Sequence, residues 1–260
     1  MSNETEANIY GQAFIADLFD EMSRTYDRVN HITSLGFSSR WRNQCASHLA
    51  HKPDAVIFDL MTGMGECWPS LLPGLTSGHI VAIDFSAGML SHAQARKTKL
   101  DTERVQIQQA DVFANAFPEA SADHIICTFG LKTLRPDQLA QLGMEIARLL
   151  KPGGTYSIVE ISVPRIPLLR GLYLFYLKHV IPLIGQFFLG NPDNYRMLGV
   201  YTERFGDCSA AVERFRACGL SAMYHSYFFG CATGLTGKAP DSTTGDPARS
   251  PITRPAASLK

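Results

Sequence analysis

IFDLMTGMGECW, residues 57–68, begins with a short apolar run that ends in Asp59 and goes on to two glycines, Gly63 and Gly65, separated by one methionine. A strand that ends in a glycine loop is one half of the unit from which parallel sheets are built. At the carboxyl edge of such a sheet, ligands sit in the crevice where the strand order switches. Glycine serves there because any side chain would occupy the ligand's place; a tight turn that needs positive φ asks for glycine too.

Downstream the same texture repeats. AVIFDLM, HIVAIDF, RVQIQQA, DHIICTF and TYSIVEIS are short, rich in Val and Ile, and read as five strands. Between them SAGMLSHAQARKTKL and PDQLAQLGMEIARLL have helical apolar spacing, and the second stops at Lys151-Pro152-Gly153-Gly154, where proline and glycine end a helix and turn the chain. The helix CSAAVERFRACGL and two strand-like runs, SAMYHSYFF and CATGLTG, follow. Alternation of this kind predicts an α/β, doubly wound, mostly parallel seven-stranded sheet with both faces covered.

Upstream, IYGQAFIADLFDEMSR (residues 9–24) places Phe14, Leu18 and Met22 at four-residue intervals, an amphipathic helix, and SSRWRNQCASHLA reads as a second. The expected organisation is N-terminal helices over residues 1–50, a main domain over 51–238, and a disordered tail over 239–260 with four prolines and almost no large apolar residue. A helical cap at about 164–205 is inserted after the fifth strand.

The most apolar stretch is IPLLRGLYLFYLKHVIPLIGQFFLG, residues 166–190. Arg170, Lys178 and His179 would have to sit in hydrocarbon, and Pro182 interrupts the run, so a membrane span is not expected. Leu169, Tyr173, Tyr176, Val180, Leu183 and Phe187 recur at helical spacing with apolar residues between them. A helix of that kind is covered on more than one side, by a cap over a greasy pocket, a homodimer interface, or plain core packing.

Composition narrows the partners. Lysines plus arginines number 24 and so do aspartates plus glutamates, which removes any global drive toward nucleic acid. The six cysteines, at 45, 67, 127, 208, 218 and 231, form no C-x-x-C pair and several lie in apolar runs, as small hydrophobes in a reducing compartment do. MSNETEANIY has neither a basic start nor an apolar run, so a cytoplasmic location is expected. No metal is expected, since His48 and His51 are the one close pair among eight histidines and read as a solvated helix end.

Asp84 ends the second strand about 20 residues after the glycines, where a carboxylate accepts both hydroxyls of a ribose. A dinucleotide loop has a third glycine where Trp68 or Pro69 stands here, and Glu66 at the helix start would repel a pyrophosphate. S-adenosyl-L-methionine has a ribose, an ammonium and no phosphate, and suits this loop better than NAD. Asp111, in QQADVF, follows the third strand and can accept an adenine amino group or stand exposed in a loop.

LFDEMSRTYDRVNHITSLGFSSRWR, DLMTGMGE, AIDFSAGML, FGLKTL, EIARLLKPGG and NPDNYRMLGVYTERF occur in this order. Over roughly residues 17–238 the chain resembles the ubiquinone/menaquinone biosynthesis C-methyltransferases (the UbiE family) within the class I S-adenosylmethionine-dependent methyltransferases. The resemblance implies a Rossmann-like transferase that takes S-adenosyl-L-methionine and methylates a small lipophilic, quinol-like acceptor. It implies donor binding by Asp59, Gly63, Met64, Gly65, Asp84, Phe85, Met89, Asp111, Val112 and Thr128, with Tyr26 closing over the sulfonium. Tyr195 and Arg196 would meet the acceptor, and Lys132 and Thr133 would do the chemistry.

Two departures stand out: the family has Thr at Met64, and Arg-Asn where Lys132 and Thr133 stand. Lys132 is expected as a base of lowered pKa or as a charged stabiliser of a phenolate. The second departure also keeps open a non-methyl transfer from the same cofactor, such as amino transfer, or a non-catalytic subunit of a quinone-synthesis complex. The apolar cap adds peripheral membrane contact as an expectation.

Overall fold

The computed structural model describes residues 9–23, 33–188 and 191–241. Seven strands form one sheet in the order β3-β2-β1-β4-β5-β7-β6. They are β1 (Val56–Leu60), β2 (His79–Asp84), β3 (Val105–Gln109), β4 (Ala122–Thr128), β5 (Leu150–Ile161), β6 (Met223–Tyr227) and β7 (Ala232–Lys238). The first five run parallel, and β7 pairs antiparallel with β5 and β6. Strand order reverses between β1 and β4, so their carboxyl ends open the crevice where a ligand binds in such sheets.

Both faces are covered, which is why the β1 run Ile57, Phe58, Asp59, Leu60 is continuously buried rather than alternating. On one face Phe58, Leu60, Ile125 and Cys127 pack under α5 (Pro136–Leu149) and α8 (Ser209–Ala217), with Leu142, Ile146 and Phe215 as the contacting residues. On the other, Ile57, Ile80, Ile126 and Val159 meet Trp41 and Cys45 of α2 (Phe37–Ser47), Trp68 of the single turn α3 (Trp68–Leu71), and Leu90 and Ala93 of α4 (Ala87–Lys99). All six cysteines are free thiols and five are buried.

Four expectations change. In α1 (Gln12–Ser23) the buried face is Ile15, Leu18 and Met22, while Phe14 points outward at 37% exposure. Spacings of three and seven from Ile15 track the 3.6-residue turn better than a strict four-residue step. Lys151–Gly154 does not simply end a helix: β5 starts at Leu150, and its register against β4 shifts between the Ala122 and His124 pairs, so these residues form a bulge inside the strand. The chain also remains packed past residue 238, since Ala239 is buried and the Pro240 carbonyl accepts from the Gly153 amide at 3.2 Å; the rest of the expected tail lies outside the described residues.

The fourth change concerns the apolar segment, which is one helix, α6, of 21 residues over Pro167–Phe187. A wide turn at Tyr176–Val180 precedes Pro182 and spares the helix a break at a residue without an amide hydrogen. It is not covered on several sides. Leu177 and Gly185 are buried toward α7 (Pro192–Phe205), where Gly185 packs against the Tyr195 ring, whereas Leu168, Leu172, Phe175, Leu183 and Phe187 are exposed. Core packing holds for the inner face, where Leu169 and Tyr173 meet the sheet's core, while two residues expected in the buried stripe, Leu183 and Phe187, lie on the outer face.

Candidate donor-binding site

A cleft opens over the carboxyl ends of β1 and β4, the place where ligands sit in such sheets. Its wall combines Met61–Met64 after β1, Asp84 and Phe85 after β2, Met89 of α4, Thr128–Gly130 and Thr133 after β4, and Ile15 and Phe19 of α1. Arg42 of α2 and Glu66 complete the lining. Helix α1 is held over the cleft by Asp20, whose Oδ1 accepts from the Ser86 hydroxyl and, at 2.9 Å, from the Gly88 amide at the start of α4. The amides of a helix start favour an anionic side chain, so this contact both caps α4 and fixes α1.

The two glycines of the loop have different duties. Gly63 has φ +57°, its amide donates to Asp84 Oδ2 at 2.8 Å, and a Cβ there would meet nothing nearer than Glu66 Oε2 at 3.5 Å. Gly65 has φ +74°, and a Cβ there would stand 2.7 Å from the Trp68 ring. Gly63 is the backbone that a ligand can approach; Gly65 is glycine because of Trp68. Met61 also adopts a left-handed conformation, φ 54°, which is unusual for a side-chain-bearing residue and places strain at the cleft.

Asp59 does not line the cleft. Its Oδ2 accepts from Thr62 Oγ1 and, at 3.0 Å, from Trp68 Nε1, so the carboxyl ties the loop to the helix turn that follows. Burial pushes its pKa up to about 7, against the lowering effect of those two hydrogen bonds. The Asp84 carboxyl is raised by burial too, opposed by the amides of Ser86 and Gly63. Asp84 has one oxygen on each of those amides and still lines the cleft.

Glu66 is not the free repulsive charge expected. Its Oε1 lies 2.9 Å from the Arg42 guanidinium, and its Oε2 accepts from the Met64 amide at 3.3 Å. Helix α3 is only one turn long, so a helix dipole has little part here. The Arg42 guanidinium stacks 4.7 Å from the centre of the Phe129 ring, and its Nε is buried with no hydrogen-bond partner among the described residues.

Lys132 is corrected as well. It is buried, and its Nζ lies 3.0 Å from Glu160 Oε1 and 2.6 Å from the Phe129 carbonyl; Glu160 Oε2 accepts the Lys132 amide at 3.0 Å. An ammonium engaged in this way, and off the wall of the cleft, holds the Phe129-Gly130-Leu131 turn. Phe129 sits at φ 66° within that turn. Thr133 does line the cleft and donates to the Gly130 carbonyl at 2.8 Å.

Gly63, Met64, Asp84, Phe85, Met89 and Thr128 therefore come together at the cleft, with Gly65 directly behind it. Asp111 and Val112 do not line it: Asp111 Oδ1 accepts from the Phe113 amide at 2.9 Å, and Val112 is buried in the core. Tyr195 is buried beside Leu18, Met22 and Tyr201, where it locks α1 to α7, and Arg196 is exposed, paired with Asp193 at 2.8 Å. Neither of the two meets the cleft. Tyr26 lies outside the described residues. His48 and His51 are not simply solvated: His48 stacks on His225 at 4.6 Å, and His51 packs over Gly74. Among the described residues no cluster of three metal-ligating side chains occurs.

Sequence reasoning missed Arg42, Met61, Phe129, Glu160, Ile15 and Phe19. Arg42 is flagged in retrospect by its place in an otherwise apolar helix face with Trp41 and Cys45. Nothing local marks Met61 or Phe129, because left-handed backbone is rare for such residues and is imposed by their surroundings.

The family model for the ubiE/COQ5 methyltransferase family matches residues 5–238. The demethylmenaquinone methyltransferase of Lactiplantibacillus plantarum is 32% identical over 240 residues, 91% of this chain and 98% of that protein. The enzyme of the same name from Lactococcus lactis is 30% identical, with 80% and 82% covered. Among solved structures, a SAM-dependent methyltransferase from Aquifex aeolicus superposes with a TM-score of 0.53 at 17% identity, over 76% of this chain and 88% of that one. A putative methyltransferase from Haloferax volcanii, solved with its Trm112 activator, reaches 0.59 at 17% identity, over 85% and 97%. These two likenesses bear on the fold alone. With its match running from residue 5 to 238 and the glycine loop and Asp84 together in the cleft, the chain belongs to the ubiE/COQ5 methyltransferase family and is an S-adenosyl-L-methionine-dependent methyltransferase of class I fold.

Proposed function

We propose that this enzyme methylates a ring carbon of a lipophilic quinol-type acceptor; its curated relatives are named demethylmenaquinone methyltransferases. The observation that carries the reading is the match along 98% of the length of the Lactiplantibacillus relative. Amino transfer and a non-catalytic role are not favoured, since the relatives are named as methyltransferases.

The residues of the cleft fit the donor. Gly63 leaves room for close approach, Asp84 offers carboxylate lone pairs for a ribose, and Phe85 and Met89 give apolar contact for an adenine. Thr128 and Met64 border the methionine part, where a thioether replaces the usual hydroxyl. S-adenosylmethionine supplies an electrophilic methyl group on a sulfonium.

Methyl transfer needs donor and acceptor in line and dry, and alignment with exclusion of water is what this chain provides. Ile15 and Phe19 of α1 cover the cleft, with Asp20 as their latch on α4. Met61, Phe129 and Gly130 form the wall next to β4, and Lys132 positions that wall through the Phe129 carbonyl and Glu160. Helices α1 and α2 act as the cover, 51–238 as the transferase body and about 164–205 as the cap, with the outer face of α6 resting on a membrane surface that holds the acceptor.

The test is transfer of labelled methyl from S-adenosylmethionine to a demethylated, prenylated naphthoquinol or benzoquinol presented in vesicles. The expected product gains one CH2, with the new methyl on carbon. A product with no such gain, or with the label on oxygen, would sink the reading.

A further inference from the structure

Among the described residues Arg42 is the one buried guanidinium at the cleft, and its position is unusual on three counts. It is 5% exposed, its Nε–H is shielded from water with no acceptor among the described residues, and one face of it stacks on Phe129. Among the described residues its ion pair is made by Nη2, with Glu66 at 2.9 Å. A buried cationic donor left unsatisfied is costly, so an acceptor is expected when the site is filled. Arginine fits a planar carboxylate through adjacent N–H groups.

Glu66 stands beside it as the complementary charge, with Oε2 3.3 Å from the Met64 amide and 3.5 Å from where a Gly63 Cβ would be. A cation and an anion side by side on the wall of a cleft match the carboxylate and ammonium of a free α-amino acid. Asp84 also lines the cleft, hydrogen-bonded to the Gly63 amide.

We propose that the Arg42–Glu66 pair is the zwitterion-reading end of the donor site, with Arg42 Nε–H donating to the carboxylate of the methionine part and Glu66 accepting from its ammonium. This rests on the reading of the cleft as the donor site. Arg42 is thereby a specificity-determining residue that separates intact donor from nucleosides lacking the amino-acid end. Phe129 keeps the guanidinium flat against the wall, so the turn held by Lys132 also sets the direction of the Nε–H.

The experiment is calorimetric titration of full-length protein with two ligands, S-adenosylhomocysteine and 5′-methylthioadenosine, which share the nucleoside and differ in the amino-acid end. Wild type should bind the first far more tightly. Arg42→Gln should weaken S-adenosylhomocysteine by about tenfold or more, the usual loss for a charged hydrogen bond, while methylthioadenosine changes by less than about threefold on the same scale. Because Arg42→Gln leaves Glu66 unpaired, the neutral double variant Arg42→Gln/Glu66→Gln is titrated in parallel, and its preference for S-adenosylhomocysteine should collapse while methylthioadenosine still binds. Equal weakening of both ligands, or an unchanged preference in both variants, overturns the proposal alone. Wild type that binds neither ligand overturns the donor-site reading and the proposal with it.

Discussion

The Lys132 ammonium lies 3.0 Å from Glu160 Oε1, and both side chains are sealed from water, at 4% and 0% exposure. An ion pair in that setting is a structural clamp: removing one partner leaves the other charge buried and uncompensated. Lys132→Met should therefore lower the unfolding free energy by about 3–5 kcal/mol, read from urea denaturation. Lys132→Arg, which keeps the charge, should recover most of it, as should the apolar pair Lys132→Met/Glu160→Leu. Recovery of stability together with full turnover in the apolar pair would mean that the ammonium has no part in the reaction beyond holding the turn.

The division of labour between the loop glycines is separable. Gly65→Ala forces a Cβ to 2.7 Å from the Trp68 ring at a left-handed position, with an expected loss of about 2–4 kcal/mol of stability. Gly63→Ala meets no close neighbour and should lose about 1–2 kcal/mol from its φ alone, yet bind donor poorly because the new methyl stands where the ligand approaches. Thermal melts and donor titrations on the same samples distinguish the two, and an equal effect on both readouts would refute the distinction.

Asp84 serves the loop and the donor at once. Asp84→Asn retains an acceptor for one of the two amides, from Gly63 and Ser86, that the carboxylate now satisfies, so folding should survive. Affinity for S-adenosylhomocysteine should fall by about tenfold or more as the charged acceptor for the ribose is lost.

Asp59 should make stability pH-dependent. Its folded pKa is raised from 3.8 to about 7 by burial, so the folded state holds a proton that the unfolded state releases. The contribution is full below the unfolded value of 3.8 and is lost as pH rises through about 7. Urea midpoints should fall over that window, with Asp84, also raised by burial, adding in the same direction. Asp59→Asn should flatten the slope; a variant with the wild-type profile would show that Asp59 does not titrate there.

The outer face of α6 gives a surface prediction. Leu172, Leu183 and Phe187 are exposed at 63%, 66% and 82%, and each large apolar side chain moved out of water contributes about 1.5–3 kcal/mol. The triple serine variant should sediment far less with lipid vesicles while binding S-adenosylhomocysteine as wild type does. Undiminished sedimentation would place the contact elsewhere.

The strands, their helices and the ligand edge were legible because parallel strands buried on both faces write continuous Val/Ile runs, and loops at their carboxyl ends write glycine. Asp84 was legible through its distance from that loop. The partner of Lys132 was not legible, because a lysine after a strand looks the same whether its amine meets a ligand or a carboxylate 28 residues away on β5. The surroundings of Tyr195 were hidden for a like reason: its ring fills the space left by Gly185 on a helix that only the fold brings alongside.

By itself the sequence determined the sheet, the glycine loop and the carboxylate at its side, since each depends on residues close together in the chain whose backbone preferences are local. The tertiary structure decided which polar groups meet. Arg42 finds Glu66 24 residues away, Asp20 reaches Gly88 across 68, and Phe129 takes a left-handed conformation under Arg42 because packing and charge outweigh its own preference. Contacts of that range follow from how the layers stack, and no local pattern records them.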